Sequence, residues 1–472
     1  MISTRRSRGF AAAAAGGFAL AMTLAACTPP PSDEGGGGGE GGGELAEGCE
    51  DYQQFADIAG GEGEVSVYST IDGEEGESQE ASYVDFEECT GIDIAYEASD
   101  EFEAQLPVRI QAGSPPDLAM IPQPGLLARI VRDNEGAVAP AAPEVEEMVD
   151  EFFSEDWKEY GTVDGTFYGS PLGANAKSFV WYSPSAFEAA GYEIPETWDD
   201  LIALSDQIVA DGRMPWCAGI ASGDATGWPA TDFLEDVVLR TAGPEVYDQW
   251  IAHEIPFDDP QIVAALDAAG EILKNPEYVN AGLGGVESIA TTEWDQAGFP
   301  ILPAEGEEFG ECWMHRAANF YGSNWVNAPN AGDGVDIAED GDVFAFYLPG
   351  SDDSKPVLGA GEFTVAFNDD PLTTAVHAYL ASDVWANDKA AVSTGWVSAN
   401  SGLDPEGLSS PIDRLSHEIL SGEEYTFRFD ASDLMPGAVG SGSFWTEMVN
   451  WIAADKSSEQ VLADIEASWP SD

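Results

Sequence analysis

The chain has 472 residues, with 87 Asp and Glu against 17 Lys and Arg, a formal net charge of −70. That imbalance excludes nucleic acid as a partner, because phosphates need cations to neutralise them, and it excludes electrostatic attachment to anionic lipid. It reads as a solvated surface that keeps the protein soluble, on a chain long enough for two lobes with separate cores.

The first 26 residues read as a secretion signal. Arg5, Arg6 and Arg8 are followed by an uncharged, Ala-rich run from Phe10 to Ala26, the order of a charged n-region and an apolar h-region. The run ends in Leu24-Ala25-Ala26-Cys27, which resembles a bacterial lipobox. The resemblance implies cleavage before Cys27, acylation of its thiol, and a protein held on the extracytoplasmic face of the cell membrane. The Thr4-Arg5-Arg6 start only weakly suggests twin-arginine export. Residues 27–59, rich in Gly and acid, read as the lipidated cysteine and a flexible tether with little to bury. No later run of about 18 apolar residues suggests a spanning helix.

Cysteine usage fits export. Beyond Cys27 there are Cys49, Cys89, Cys217 and Cys312, an even set that allows three pairings. We pair Cys49 with Cys89, near the start of the mature domain, and Cys217 with Cys312, inside one middle segment. No Cys-x-x-Cys occurs, so zinc or redox chemistry is not indicated.

Along the chain, strands alternate with helices. Glu64–Ser69, Ile92–Tyr96 and Pro116–Ile121 read as strands, with helices over Glu75–Thr90 and Phe102–Ala112 between them. This βαβα order predicts a parallel α/β sheet with helices on both faces. Trp198–Asp211, Phe233–Ala242, Gln261–Lys274, Thr373–Ala381 and Phe444–Ala454 read as further helices. Val343–Leu348 and Phe363–Phe367 read as late strands.

Several segments stand out: Ala112-Gly113-Ser114-Pro115-Pro116-Asp117-Leu118 with Pro122–Gly125, Tyr168–Pro171 through Lys177 and Trp181-Tyr182, Pro195–Leu201, Gly227–Asp232, Cys312–Arg316, and Gly361-Glu362-Phe363. In this order they resemble the carbohydrate-binding class of extracellular solute-binding proteins, the relatives of maltose-binding protein, and most of all its α-glucoside branch. The resemblance implies a two-lobe, type II binding-protein fold with three crossings, near Leu172, Gly359–Glu362 and Val397–Asn400. One lobe would combine 60–172 with 362–396, the other 173–361 with 397–472. Such a protein is a monomer that captures a sugar between its lobes and delivers it to the permease subunits of an ABC importer.

A sugar ring offers an apolar face suited to Trp and Tyr, and a hydroxyl rim suited to two-atom polar heads. The resemblance and the local context together select ligand candidates. Trp445 follows a Gly/Ser run at the start of a late helix, and Trp228 sits in a Gly/Pro loop beside Asp232. Trp181 and Tyr182 lie after the first crossing, where Asn175 replaces a common acid. Asp100 and Glu101 follow the second strand, and Gln123 follows the third. His315 and Arg316 follow Cys312, and Glu362 sits at the second crossing.

Catalysis is not expected. No G-x-S-x-G, H-E-x-x-H or Walker loop occurs, and in so acidic a chain a pair of carboxylates identifies no glycosidase. Neither a cofactor nor a metal is expected. The competing readings are a secreted lipoprotein enzyme acting on glycosides and a non-transport adhesin or scaffold.

Overall fold

The structure is a computed structural model that describes residues 45–99, 101–329, 334–350, 355–422 and 424–470. Cys27 and Asp100 lie outside them. Among the described residues the two larger sheets contain nine strands: β1 (Gly63–Ser69), β2 (Ile92–Ala98), β3 (Leu118–Ile121), β4 (Gly169–Ala176), β5 (Phe179–Tyr182), β6 (Met314–Arg316), β7 (Phe344–Tyr347), β8 (Pro356–Ala366) and β9 (Thr426–Phe429).

The first sheet runs in the order β9-β8-β3-β1-β2, with β1 parallel to β2 and β3. The expected parallel sheet is therefore found only in part. β8 enters antiparallel to β3 and to β4, because it arrives from far along the chain rather than through a βαβ crossover. Alternation along β1 divides the core. Val65 and Val67 face a cluster with Phe55, Phe86, Tyr379 and Trp385. Tyr68 faces Phe102, Leu106, Leu127 and Ile130 on the opposite side.

The second sheet is small. β5 pairs antiparallel with β6 and β7, and a large helical core surrounds it, including Leu234, Val238, Trp250, Leu266 and Trp451. Local chemistry explains the helix limits. Thr197 and Asp200 form a reciprocal capping box at the start of Trp198–Ala210, which satisfies two otherwise orphan backbone donors. Proline opens the helices at Pro124, Pro260 and Pro371, where its missing N–H costs nothing.

Two expectations are corrected. The helix over Glu75–Thr90 is two helices, Gly73–Ala81 and Val84–Thr90. The break lets Tyr83 bury its ring and accept a 2.7 Å hydrogen bond from Gln79. The proposed tether is too long, because residues 53–59 form a helix whose Phe55 is fully buried. The Cys49–Cys89 disulfide holds this segment against the helix Val84–Thr90. The second disulfide joins Cys217 and Cys312, so both expected pairings are found. Among the described residues no helix is long and apolar enough to cross a membrane.

The segments expected to form the crossings meet in one place. Asn175 pairs with Ala360, and Ala176 with Gly359, in the β4–β8 ladder. Ala174 bridges Val397. Three distant segments thus share backbone hydrogen bonds beside the cavity described next.

Candidate functional site

A cavity of about 330 Å³ lies where these segments meet. A larger depression of about 830 Å³ sits elsewhere, around 139–144 and 366–371. Its lining includes Glu144, Asn368, Asp369, Thr374 and His377 but no tryptophan. The smaller cavity brings tryptophans and several polar heads together.

Its first wall comes from loops and helix starts after the central strands. Thr70, Ile71 and Asp72 follow β1, Glu75 stands on the first helix turn, and Pro122 and Gln123 follow β3. Ligand sites in α/β sheets form at such strand ends. Glu103 and Glu362 add carboxyls. Asn175, Ala360 and Gly361 form the floor at the crossing. A Cβ at Gly361 would collide with the Gly173 carbonyl oxygen, so the close approach of β4 and β8 requires glycine there.

The second wall is aromatic and acidic. Trp228 opens the helix Trp228–Thr241, and Trp445 opens Trp445–Ala453. Gly227, at φ +119°, lets the two approach, since a Cβ there would collide with the Trp445 carbonyl oxygen. The Trp228 ring meets Trp294 edge-on at 5.2 Å and Phe320 at 6.1 Å. Asp232, Asp430, Ser432 and Asp433 complete this side.

Lys177 organises the carboxylates. Its ammonium donates to Asp430 Oδ2 at 2.5 Å and Asp232 Oδ1 at 3.1 Å. Burial works against its charge, but the two carboxylates outweigh burial and hold the lysine protonated well above its ordinary range. Asp430 responds oppositely: burial would raise its pKa, but Lys177 holds it below the ordinary carboxylate range. Burial, opposed by Lys177, pushes Asp232 up to about 7. Behind it, Arg316 ties Asp232 to Asp236, and Asp236 also accepts from Ser178 and Arg240. The network fixes the carboxylates with little freedom, a preorganisation that favours ligand binding.

Oxygens of Asp232, Glu235 and Asp430 lie within 4.8 Å of one another, a spacing that suits a cation. The Lys177 ammonium already bonds two of these residues, and Glu235 accepts from the Ala431 and Ser432 amides. The donor set is spent on the protein's own groups.

Of the residues singled out in the sequence, Trp445, Trp228, Asp232, Gln123, Asn175 and Glu362 line this cavity together. Others do not. Trp181 is fully buried, and its indole N–H donates to the Ala317 and Ala318 carbonyls. Tyr182 packs against Phe187 and Phe346. His315 is buried, with Nδ1 on the Cys217 carbonyl at 3.0 Å, and burial pushes its pKa down to about 4. Arg316 lies behind Asp232 and braces it. Glu101 is exposed and accepts from Gln105. None of these five is part of the cavity lining.

The sequence reading missed Glu75, Lys177, Trp294, Phe320, Asp430 and Asp433. Lys177 could have been singled out by the scarcity of cations, 17 against 87 acids. Trp294 and Phe320 lie in irregular or 3₁₀ segments with no periodic signal.

Comparison with known proteins bears on the family. Residues 72–305 match the description "Bacterial extracellular solute-binding protein". The osmoprotective compounds-binding protein GgtB of Synechocystis is 41% identical, covering 81% of this chain and 86% of its own. The alpha-glucosides-binding periplasmic protein AglE of Rhizobium meliloti is 36% identical, covering 81% of each. The solved solute receptor AcbH superposes with a TM-score of 0.70 at 18% identity, over 86% of this chain and 98% of its own. That last likeness concerns the fold alone.

Proposed function

The chain belongs to the bacterial extracellular solute-binding proteins, and from that premise we propose that it is the sugar receptor of an ABC importer, with an α-glucoside as its ligand. One observation carries the reading. Two tryptophans, Trp228 and Trp445, face carboxyl and amide heads across one cavity at the meeting point of three chain segments. Indole faces suit the C–H face of a pyranose, and the heads of Asp232, Gln123, Asn175 and Glu362 suit its hydroxyls. A volume near 330 Å³ is at the small end of ligand pockets, about 300–1,000 Å³, and suits a small glycoside. The alpha-glucosides named for AglE support the ligand class.

On this reading 60–172 with 362–396, and 173–361 with 397–472, are the two lobes. Closure about the backbone junction at Ala174, Ala360 and Val397 would enclose the sugar. The closed monomer would be presented to the permease, and an acyl group on Cys27 would hold the receptor at the membrane. The family and the named relatives are binding proteins, and the reading assigns this chain no catalysis.

Calorimetry against a panel of neutral α-glucosides tests the ligand. The expected result is a micromolar Kd or tighter, roughly −8 kcal/mol, without release of glucose. No binding across the panel would overturn the reading, and sustained hydrolysis would favour an enzyme. For the anchor, Cys27→Ser is expected to abolish detergent-phase partitioning of the exported protein. Unchanged partitioning and mass would remove the lipid.

A further inference from the structure

One buried side chain ties the floor of the cavity to its aromatic wall. Asn319 is fully buried at the start of the 3₁₀ segment Asn319–Asn327. Its Oδ1 accepts from the Ala176 N–H at 2.9 Å. That N–H belongs to the peptide group that follows Asn175, a residue of the cavity floor. Its Nδ2 donates to the Gly395 carbonyl at 2.9 Å, just before the expected third crossing. The next residue, Phe320, lines the cavity and packs its ring on Trp294 at 5.8 Å and on Trp228 at 6.1 Å.

Gly395 is itself held from both sides. Its N–H donates to Asp413 Oδ1 at 2.8 Å, and its carbonyl accepts from Asn319. The glycine has φ +81°, and a Cβ there would lie 3.3 Å from the Phe320 Cα, so this peptide runs against the backbone of the wall residue. The two partners of Asn319 are 143 and 76 residues away along the chain. An amide head, with an acceptor and donors on one planar group, joins both at once.

We infer that Asn319 is a positioning residue for ligand binding: it fixes Phe320, and through it the Trp228 and Trp294 rings, relative to the floor at Asn175. A wall held in this way loses little freedom when a ligand seats on it, and that preorganisation favours binding. The inference rests on the sugar-receptor reading for its ligand, but not for the placement of the rings.

The test measures affinity for maltose and trehalose by calorimetry, well below the melting temperature, where a loss of stability alone leaves Kd unchanged. Asn319→Ala is expected to bind about tenfold more weakly than wild type. Asn280→Ala is the control. Asn280 is equally buried and bonds the Ala218 N–H and carbonyl, but it is not part of the cavity lining. That variant should melt lower and keep its Kd; a matching loss of affinity would make the effect one of stability and overturn the inference. A double-mutant cycle with Phe320→Ala shows the route. In that background Asn319→Ala should cost no more than about twofold, the scatter of independent sites. An unchanged Kd in Asn319→Ala, or the same loss with the Phe320 ring removed, overturns the inference. If Asn319→Ala does not fold, Asn319→Leu, which keeps a branched shape without the hydrogen bonds, goes through the same cycle and is judged by the same outcomes. Should wild type bind neither sugar, the receptor reading is what fails, and the ligand-free indole ¹H–¹⁵N resonances of Trp228 and Trp294 still test Asn319. Both should move in Asn319→Ala and stay in Asn280→Ala, and unmoved resonances overturn the inference.

Discussion

Trp445 and Trp228 line the same cavity but are held differently, and truncation should separate them. Trp445 is half-buried, and among the described residues no ring packs against it. Trp445→Ala is expected to weaken sugar binding by about 1–3 kcal/mol and to leave the melting temperature of the ligand-free protein nearly unchanged. Trp228 packs on Trp294 and Phe320, so Trp228→Ala should lower both affinity and melting temperature. Calorimetry and melting on the two variants check the contrast. Titration adds a second prediction at this scale. His377 is buried, bonded to Ser170 Oγ at 3.0 Å, and burial pushes its pKa down to about 4. An unfolded histidine takes its proton near 6.5, so between about 6.5 and 4 the unfolded state binds more protons. Stability from this group therefore falls as pH falls through that window, by about 3 kcal/mol at most. Buried carboxyls such as Glu362, raised to about 7, run the opposite way. The comparison that isolates the histidine is the change in unfolding free energy between pH 7 and 4.5 in wild type and in His377→Asn. The variant is expected to lose less.

The two disulfides act on different elements. Cys49–Cys89 clamps the short helix Gln53–Ala59 onto the helix Val84–Thr90, across 40 residues. Cys217–Cys312 joins the segment after the helix Trp198–Ala210 to the start of β6, across 95 residues. Each should stabilise by about 2–4 kcal/mol, and the longer loop by somewhat more. Paired Ser substitutions followed by chemical denaturation measure this. Loss of the first bridge should additionally expose the 45–59 segment to protease under native conditions, because a seven-residue helix is not stable alone. Resistance unchanged from wild type would show that Tyr52 and Phe55 suffice to hold it.

At the scale of the whole molecule, charge dominates. With −70 formal charges on 472 residues, self-repulsion disfavours the compact state. Most acids are exposed, and the few cations are paired with several of them, as at Lys158 and Lys456. Moving from 10 mM to 1 M NaCl shortens the screening length from about 30 to about 3 Å, and thermal melts should shift upward by at least a few degrees. A downward shift would mean that the surface ion pairs contribute more than the repulsion costs.

What the sequence determined by itself was local or strictly ordered along the chain. The strands Gly63–Ser69 and Ile92–Ala98 and the helix Trp198–Ala210 were legible in local pattern to within a few residues, and the disulfides join cysteines that are neighbours in chain order, one of the three pairings the sequence allowed. Family motifs pointed to Trp228, Trp445 and Glu362, which line one cavity. Tertiary structure decided what depends on distant segments meeting. β8 runs antiparallel to β3 because strand direction is set by which chain returns to the sheet, and local pattern carries no record of that. Trp181 and Arg316 had the right residue types and neighbours, but one became core and the other a brace, because the face a strand residue presents depends on what covers the sheet. Lys177 reaches Asp430 across 253 residues, and Lys389 reaches Ser78 across 311. Only folding brings such charges together, and only the buried, low-dielectric setting it creates gives them their strength.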